Sequence, residues 1–129
     1  MDDEIKFNDL MFSALDHGFD SIKDGDGLLI PFVIYEDKEN KRGIQRFISD
    51  DLEIGVKAAK EFVNKNLFEI YAIVWDGYIV KDKQKHDAIL VEAGRFQIAK
   101  KTFLVQLYLK KNDKKKECCE RVGKPVLVS

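Results

Sequence analysis

Histidine, cysteine and proline are scarce here, at two residues each in 129, and long apolar runs are absent. Each scarcity excludes something. His17 and His86 are the only imidazoles, and no serine or cysteine forms a recognisable local motif with either. The G-x-S-x-G elbow of α/β-hydrolases does not occur. His17 falls near the end of an expected helix and His86 at a turn-to-strand junction, so both read as surface residues. The cysteines, Cys118 and Cys119, are adjacent. They lack the C-x₂₋₄-C spacing of a zinc site, and no second pair exists. Neighbours on a strand point to opposite faces, so a bond between them would be strained. Free thiols are therefore expected, and with them a reducing compartment and a cytoplasmic location.

No run approaches the roughly 20 apolar residues that span a bilayer, which argues against a membrane protein. The start, MDDEIKF, is acidic where a signal peptide would be basic. Charge of one sign is missing too: 22 Lys+Arg stand against 23 Asp+Glu, for a net charge of −1. Such a balance exerts no long-range pull on nucleic acid. Glycines stand singly, and neither G-x-x-x-x-G-K-[ST] nor G-x-G-x-x-G occurs, so no nucleotide cofactor is expected.

What is present is core. The stretch 67–109 reads LFEIYAIVWDGYIV, then HDAILVEAG, then KTFLVQLYL. These are three strands of one antiparallel sheet. The first is apolar on both faces, as in a central strand covered on both sides or paired in an oligomer. Asp76-Gly77 reads as a bulge within it and KDKQK, 81–85, as the turn. In 102–110, Phe103, Val105, Leu107 and Leu109 point one way and Thr102, Gln106, Tyr108 and Lys110 the other, with Leu104 as the exception.

Around this centre the periodicity predicts a helix over 2–18 with Phe7, Leu10, Met11, Ala14 and Leu15 on its apolar face and Gly18 as its stop. Residues 20–27, DSIKDGDG, form a turn; Ile22 and Pro31 stand where a calcium loop needs oxygen ligands. Strands follow at 28–35 and 44–48. Pro31 favours an edge or a bulge. Ser49 or Asp50 caps a second helix with Leu52, Val56, Ala59, Phe62 and Val63 as its buried stripe, ending at Asn64 or Asn66. Asn112-Asp113 looks like a tight turn leading to a charged outer strand over 114–122. Gly123-Lys124-Pro125 then turns the chain into a last short strand, 126–128.

The expected fold is a single α+β domain over 1–129. It has a mainly antiparallel sheet of five to seven strands in the order α-β-β-α-β-β-β-β, with two helices packed on one face.

Three constellations invite a function. Asp76, Asp87 and Glu92 lie on or beside the central strands and suggest a metal-dependent phosphodiesterase or nuclease. Restriction-type nucleases also need a lysine two residues after an acid, and it is absent here. Lys110, Lys111, Lys114, Lys115 and Lys116 gather around one hairpin and could meet phosphates. The same lysines would discourage edge-to-edge aggregation on a solvated strand. Tyr71, Trp75 and Tyr78 lie close together, and Tyr and Trp are favoured at binding surfaces. No catalytic constellation is complete and no metal or cofactor is implied. The sequence favours a small non-catalytic interaction module, acting on a protein partner through a sheet face or as a homodimer.

Overall fold

Helix α1 spans Asp3–Asp24 and buries Phe7, Leu10, Met11, Ala14, Leu15, Phe19 and Ile22, spaced three and four apart along one face. Gly18 lies within this stripe and does not end the helix. A Cβ there would stand 2.8 Å from Val74 Cγ1, so the glycine sets how closely α1 approaches the sheet. The computed structural model describes residues 3–24, 29–96, 98–110 and 119–128.

The strands are β1 (Phe32–Glu36), β2 (Arg42–Arg46), β3 (Ile70–Lys81), β4 (Gln84–Arg95), β5 (Thr102–Lys110) and β6 (Cys119–Val128), with α2 (Leu52–Asn66) between β2 and β3. They form one six-stranded antiparallel sheet in the order β2-β1-β3-β4-β5-β6. The α+β class, the strand count and the element order agree with expectation. No described helix is long and apolar enough to cross a membrane.

The helices sit on opposite faces, not on one. Ile70, Ala72 and Val74 of β3 join the α1 core, while Tyr71 and Ile73 join the α2 core. Adjacent residues of a strand face opposite ways, so the two-sided apolarity of β3 records a helix above and a helix below. On the α2 side the packing is aromatic. Tyr35 stacks on Phe68 with ring centroids 4.0 Å apart, and Phe62 meets Tyr35 and Phe47 edge-on.

Other differences have local causes. Asp76-Gly77 is not a bulge: β3 pairs with β4 in unbroken register from Ile70↔Arg95 to Lys81↔Gln84. The hairpin turns at Asp82-Lys83, both at positive φ, as a two-residue type I′ turn requires. Pro31 precedes β1, and β1 is not an edge strand. The α2 cap is Asp51, one residue later than expected, its carboxylate accepting from Glu53 N at 2.8 Å. The helix ends at Asn66, as expected.

The expected outer strand and final short strand are one strand, β6. Val105 pairs with Val126 but Leu107 with Val122, so β6 holds two extra residues there. Gly123, at φ 70°, lies in that bulge. Gln106, fully buried, fills it: its Nε2 donates to the carbonyls of Leu107, Val122 and Gly123. Cys119 is disulfide-bonded rather than free, which removes the thiol argument for a reducing compartment. The expected turn at Asn112-Asp113 lies outside the described residues.

Candidate interaction surface

The pairing registers place every sheet residue on one face or the other. On the α2 side, Ile73, Glu92 and Phe103 align across β3, β4 and β5, as do Trp75, Leu90 and Val105, and then Gly77, Ala88 and Leu107. Val126 and Val128 extend these rows onto β6. Helix α2 packs on β1 and β3. No described element covers this face of β5 and β6. Phe103 is 36% exposed, Leu109 58%, Val122 40%, Val126 59% and Val128 46%. Leu90, Val105 and Leu107 are half-buried. The result is a continuous apolar strip of aliphatic side chains and one phenylalanine.

A groove of about 480 Å³ joins this strip to α2. Its floor is Trp75, Gly77 and Leu90, and its wall is Leu52 and Val56 with Lys57 and Lys60 at the rim. Gly77 shapes the floor: a Cβ there would lie 2.8 Å from Leu90 Cδ1. The Lys60 ammonium sits 5.5 Å from the Trp75 ring centroid.

The three aromatic candidates separate. Tyr71 and Trp75 share the α2 face, as expected for alternate positions, and Tyr78 falls on the other by register, although it lines the groove's edge with Trp75. Tyr71 is core, its ring lying over Gly94, its partner on β4. Burial, and secondarily the charge of Glu92, pushes its hydroxyl pKa up to about 12. Trp75 is half-buried at the groove. Tyr78 is exposed, with the Lys85 ammonium 4.2 Å from its ring centroid.

The carboxylate candidates separate as well. Asp76 and Asp87 occupy the α1 face, on neighbouring strands. Glu92 occupies the α2 face, only 5% exposed, with Lys101 Nζ 3.6 Å from its Oε2. The sheet itself therefore stands between Glu92 and the two aspartates. Asp76 is engaged structurally: the buried Tyr108 hydroxyl reaches past β4 to donate to its Oδ1 at 2.7 Å. Burial first, then that hydrogen bond and the charges of Asp76 and Asp87, raise the Tyr108 pKa. Among the described residues, no group of three His, Cys, Asp or Glu side chains could hold a metal ion.

His17 lies against α1's own sheet face, edge-on to Phe32 and 3.3 Å from Arg46 Nη2. Of the lysine hairpin, Lys110 closes β5, and residues 111–118 lie outside the described residues.

Sequence reasoning missed the strip as a surface. Its members are ordinary core-type residues, and they are exposed because no described helix lies over β5 and β6. The available signal was in β5, where both faces carry apolar residues. Comparison of the chain with family models, with curated proteins and with solved structures finds no match.

Proposed function

We propose that the protein is a non-catalytic interaction module that pairs with a second copy of itself through the β4–β6 face. The observation that carries this reading is the uncovered strip of Phe103, Leu109, Val122, Val126 and Val128. Antiparallel sheets with one solvated face normally alternate apolar and polar residues, and this face does not. With Leu90, Val105, Leu107, Leu52 and Val56 added, the exposed apolar area is roughly 600 Å². A standard interface uses about 800 Å² per partner, a little under two thirds of it apolar. The strip therefore has the apolar area of a whole interface.

A second copy is the occupant this reading commits to, because the strip is mostly apolar, with Glu120 opposite Leu109 as a charged strand position, and can meet its own copy. Two such sheet faces stack about 10 Å apart with their side chains interdigitated. A two-fold arrangement needs only this one patch.

Sedimentation or light scattering tests the reading. The expected mass is twice 14.9 kDa at micromolar concentration. Val126→Lys places a charge in the strip at an exposed position and should yield a folded monomer. A wild-type protein that stays monomeric at every concentration refutes the reading.

A further inference from the structure

We propose that a second cavity, at the opposite end of β3 from its hairpin, binds a small organic phosphate monoester. The cavity encloses about 360 Å³ where α1, the β1–β2 turn and the end of β4 meet. That volume is within the range of small-molecule sites, about 300–1,000 Å³.

Its charges are unbalanced. Lys6, Lys38 and Arg95 all line it. Among the described residues none of the three makes an ion pair. Lys6 Nζ donates to Asn40 Oδ1 at 2.9 Å, Lys38 sits 5.1 Å from the Phe96 ring centroid, and Arg95 sits 4.4 Å from that of Phe7. Two acids line the cavity, Glu36 and Glu69. Glu36 is already answered, because Arg42 donates to its Oε2 through Nε at 3.0 Å and Nη2 at 2.7 Å. Three cations therefore face one unmatched carboxylate, an excess of two positive charges. A phosphate monoester carries about −1.5 to −2 at neutral pH and offers three acceptor oxygens. Phe96 supplies an apolar wall for the organic portion.

The walls are tied together by backbone hydrogen bonds. Glu69 N donates to Glu36 O at 3.0 Å, Phe96 N to Glu69 O at 2.9 Å, and Ile98 N to Arg95 O at 3.2 Å. Asp37 fixes the adjoining turn by accepting from Glu39 N and Lys41 N. The cations thus project from a built frame, which lowers the ordering cost of binding.

The probe is phenyl phosphate, followed by NMR chemical shifts on the full chain. Saturable binding is expected, weakening with salt. The double variant Lys38→Gln/Arg95→Gln should lose about tenfold or more in affinity. Lys38→Gln alone, at an exposed position, should lose about threefold and keeps the test open if the Arg95 change unfolds the chain. Val126→Lys should bind as wild type does, which separates this site from the proposed pairing surface. The proposal is overturned by the absence of saturation up to about 10 mM. It is equally overturned if both variants bind as wild type does, if benzoate binds as tightly, or if inorganic phosphate does.

Discussion

Tyr108→Phe removes one oxygen and leaves the ring in place. Tyr108 is 2% exposed, and its hydroxyl donates to Asp76 Oδ1 at 2.7 Å, tying β5 to β3 across β4. A hydrogen bond to a charged group contributes about 1.5–3 kcal/mol. Asp76 is half-buried, so water can answer part of its lost partner, and the expected cost is about 1–2 kcal/mol. For a chain of this length that lowers Tm by roughly 3–10 °C. In urea the midpoint should fall with an unchanged slope, because the surface exposed on unfolding is the same. Asp76→Asn should cost less, since an amide oxygen still accepts from the hydroxyl. A Tyr108→Phe midpoint within about 0.5 kcal/mol of wild type refutes the reasoning.

The same variant has an alkaline signature. The folded-state pKa values of Tyr71 and Tyr108 lie above the ordinary 10.0, that of Tyr71 at about 12. Above pH 10 the unfolded chain releases these protons and the folded chain holds them. Their stabilising contribution is therefore complete below pH 10 and is lost as pH rises from there toward 12 and beyond. Each such tyrosine steepens the loss by about 1.4 kcal/mol per pH unit. Tyr108→Phe should flatten the alkaline limb by one such increment, and absorbance titration should show two tyrosines ionising late.

Gly18→Ala should destabilise by about 1–2 kcal/mol, although alanine is the better helix former, because its Cβ would crowd Val74 Cγ1 at 2.8 Å. Thermal melts of the variant combined with Val74→Ala should show the crowding term relieved. Glu92→Met should be neutral or stabilising in urea titration, since Glu92 Oε2 is buried without a hydrogen-bond partner and Lys101 stays solvated. A loss above about 1 kcal/mol would mean that the Lys101 ion pair at 3.6 Å outweighs the cost of burying the carboxylate.

The element order was legible because periodicity switches cleanly between 3.6 and 2 along the chain. Which side of each element is buried was less so. In β5 the obvious apolar stripe, Phe103, Val105, Leu107 and Leu109, is the more exposed side. The deeply buried side is Leu104, Gln106 and Tyr108. Polar groups qualify for burial when partners meet them, and those partners are remote in sequence: carbonyls of the β6 bulge for the Gln106 amide nitrogen, though not for its Oε1, and Asp76 for Tyr108. Helix placement was hidden for a related reason. An apolar stripe on a helix says that it packs, not on which face of the sheet. Of the candidate residues, alternation correctly put Tyr71 with Trp75, and the same rule, applied across the hairpin register, would have put Glu92 opposite Asp76 and Asp87.

Sheet width explains why one half of a face stays open. Six strands span about 24–29 Å, and a helix covers about 10 Å of that. One helix per face cannot cover six strands, so something must be done with the remainder. The two edges resolve this differently. At one edge, β2 presents Arg42, Gln45 and Arg46 to solvent along with one apolar side chain, Ile44, 39% exposed. At the other, β5 and β6 present phenylalanine, leucine and valine on the side α2 leaves open. Exposed apolar side chains are therefore concentrated at one edge, with Ile44 alone on the β2 edge strand. Val122, Val126 and Val128 suit a strand as β-branched residues do, but threonine would suit it too without exposing as much apolar surface. The proposed pairing would place a second copy on that strip, where α2 stops short.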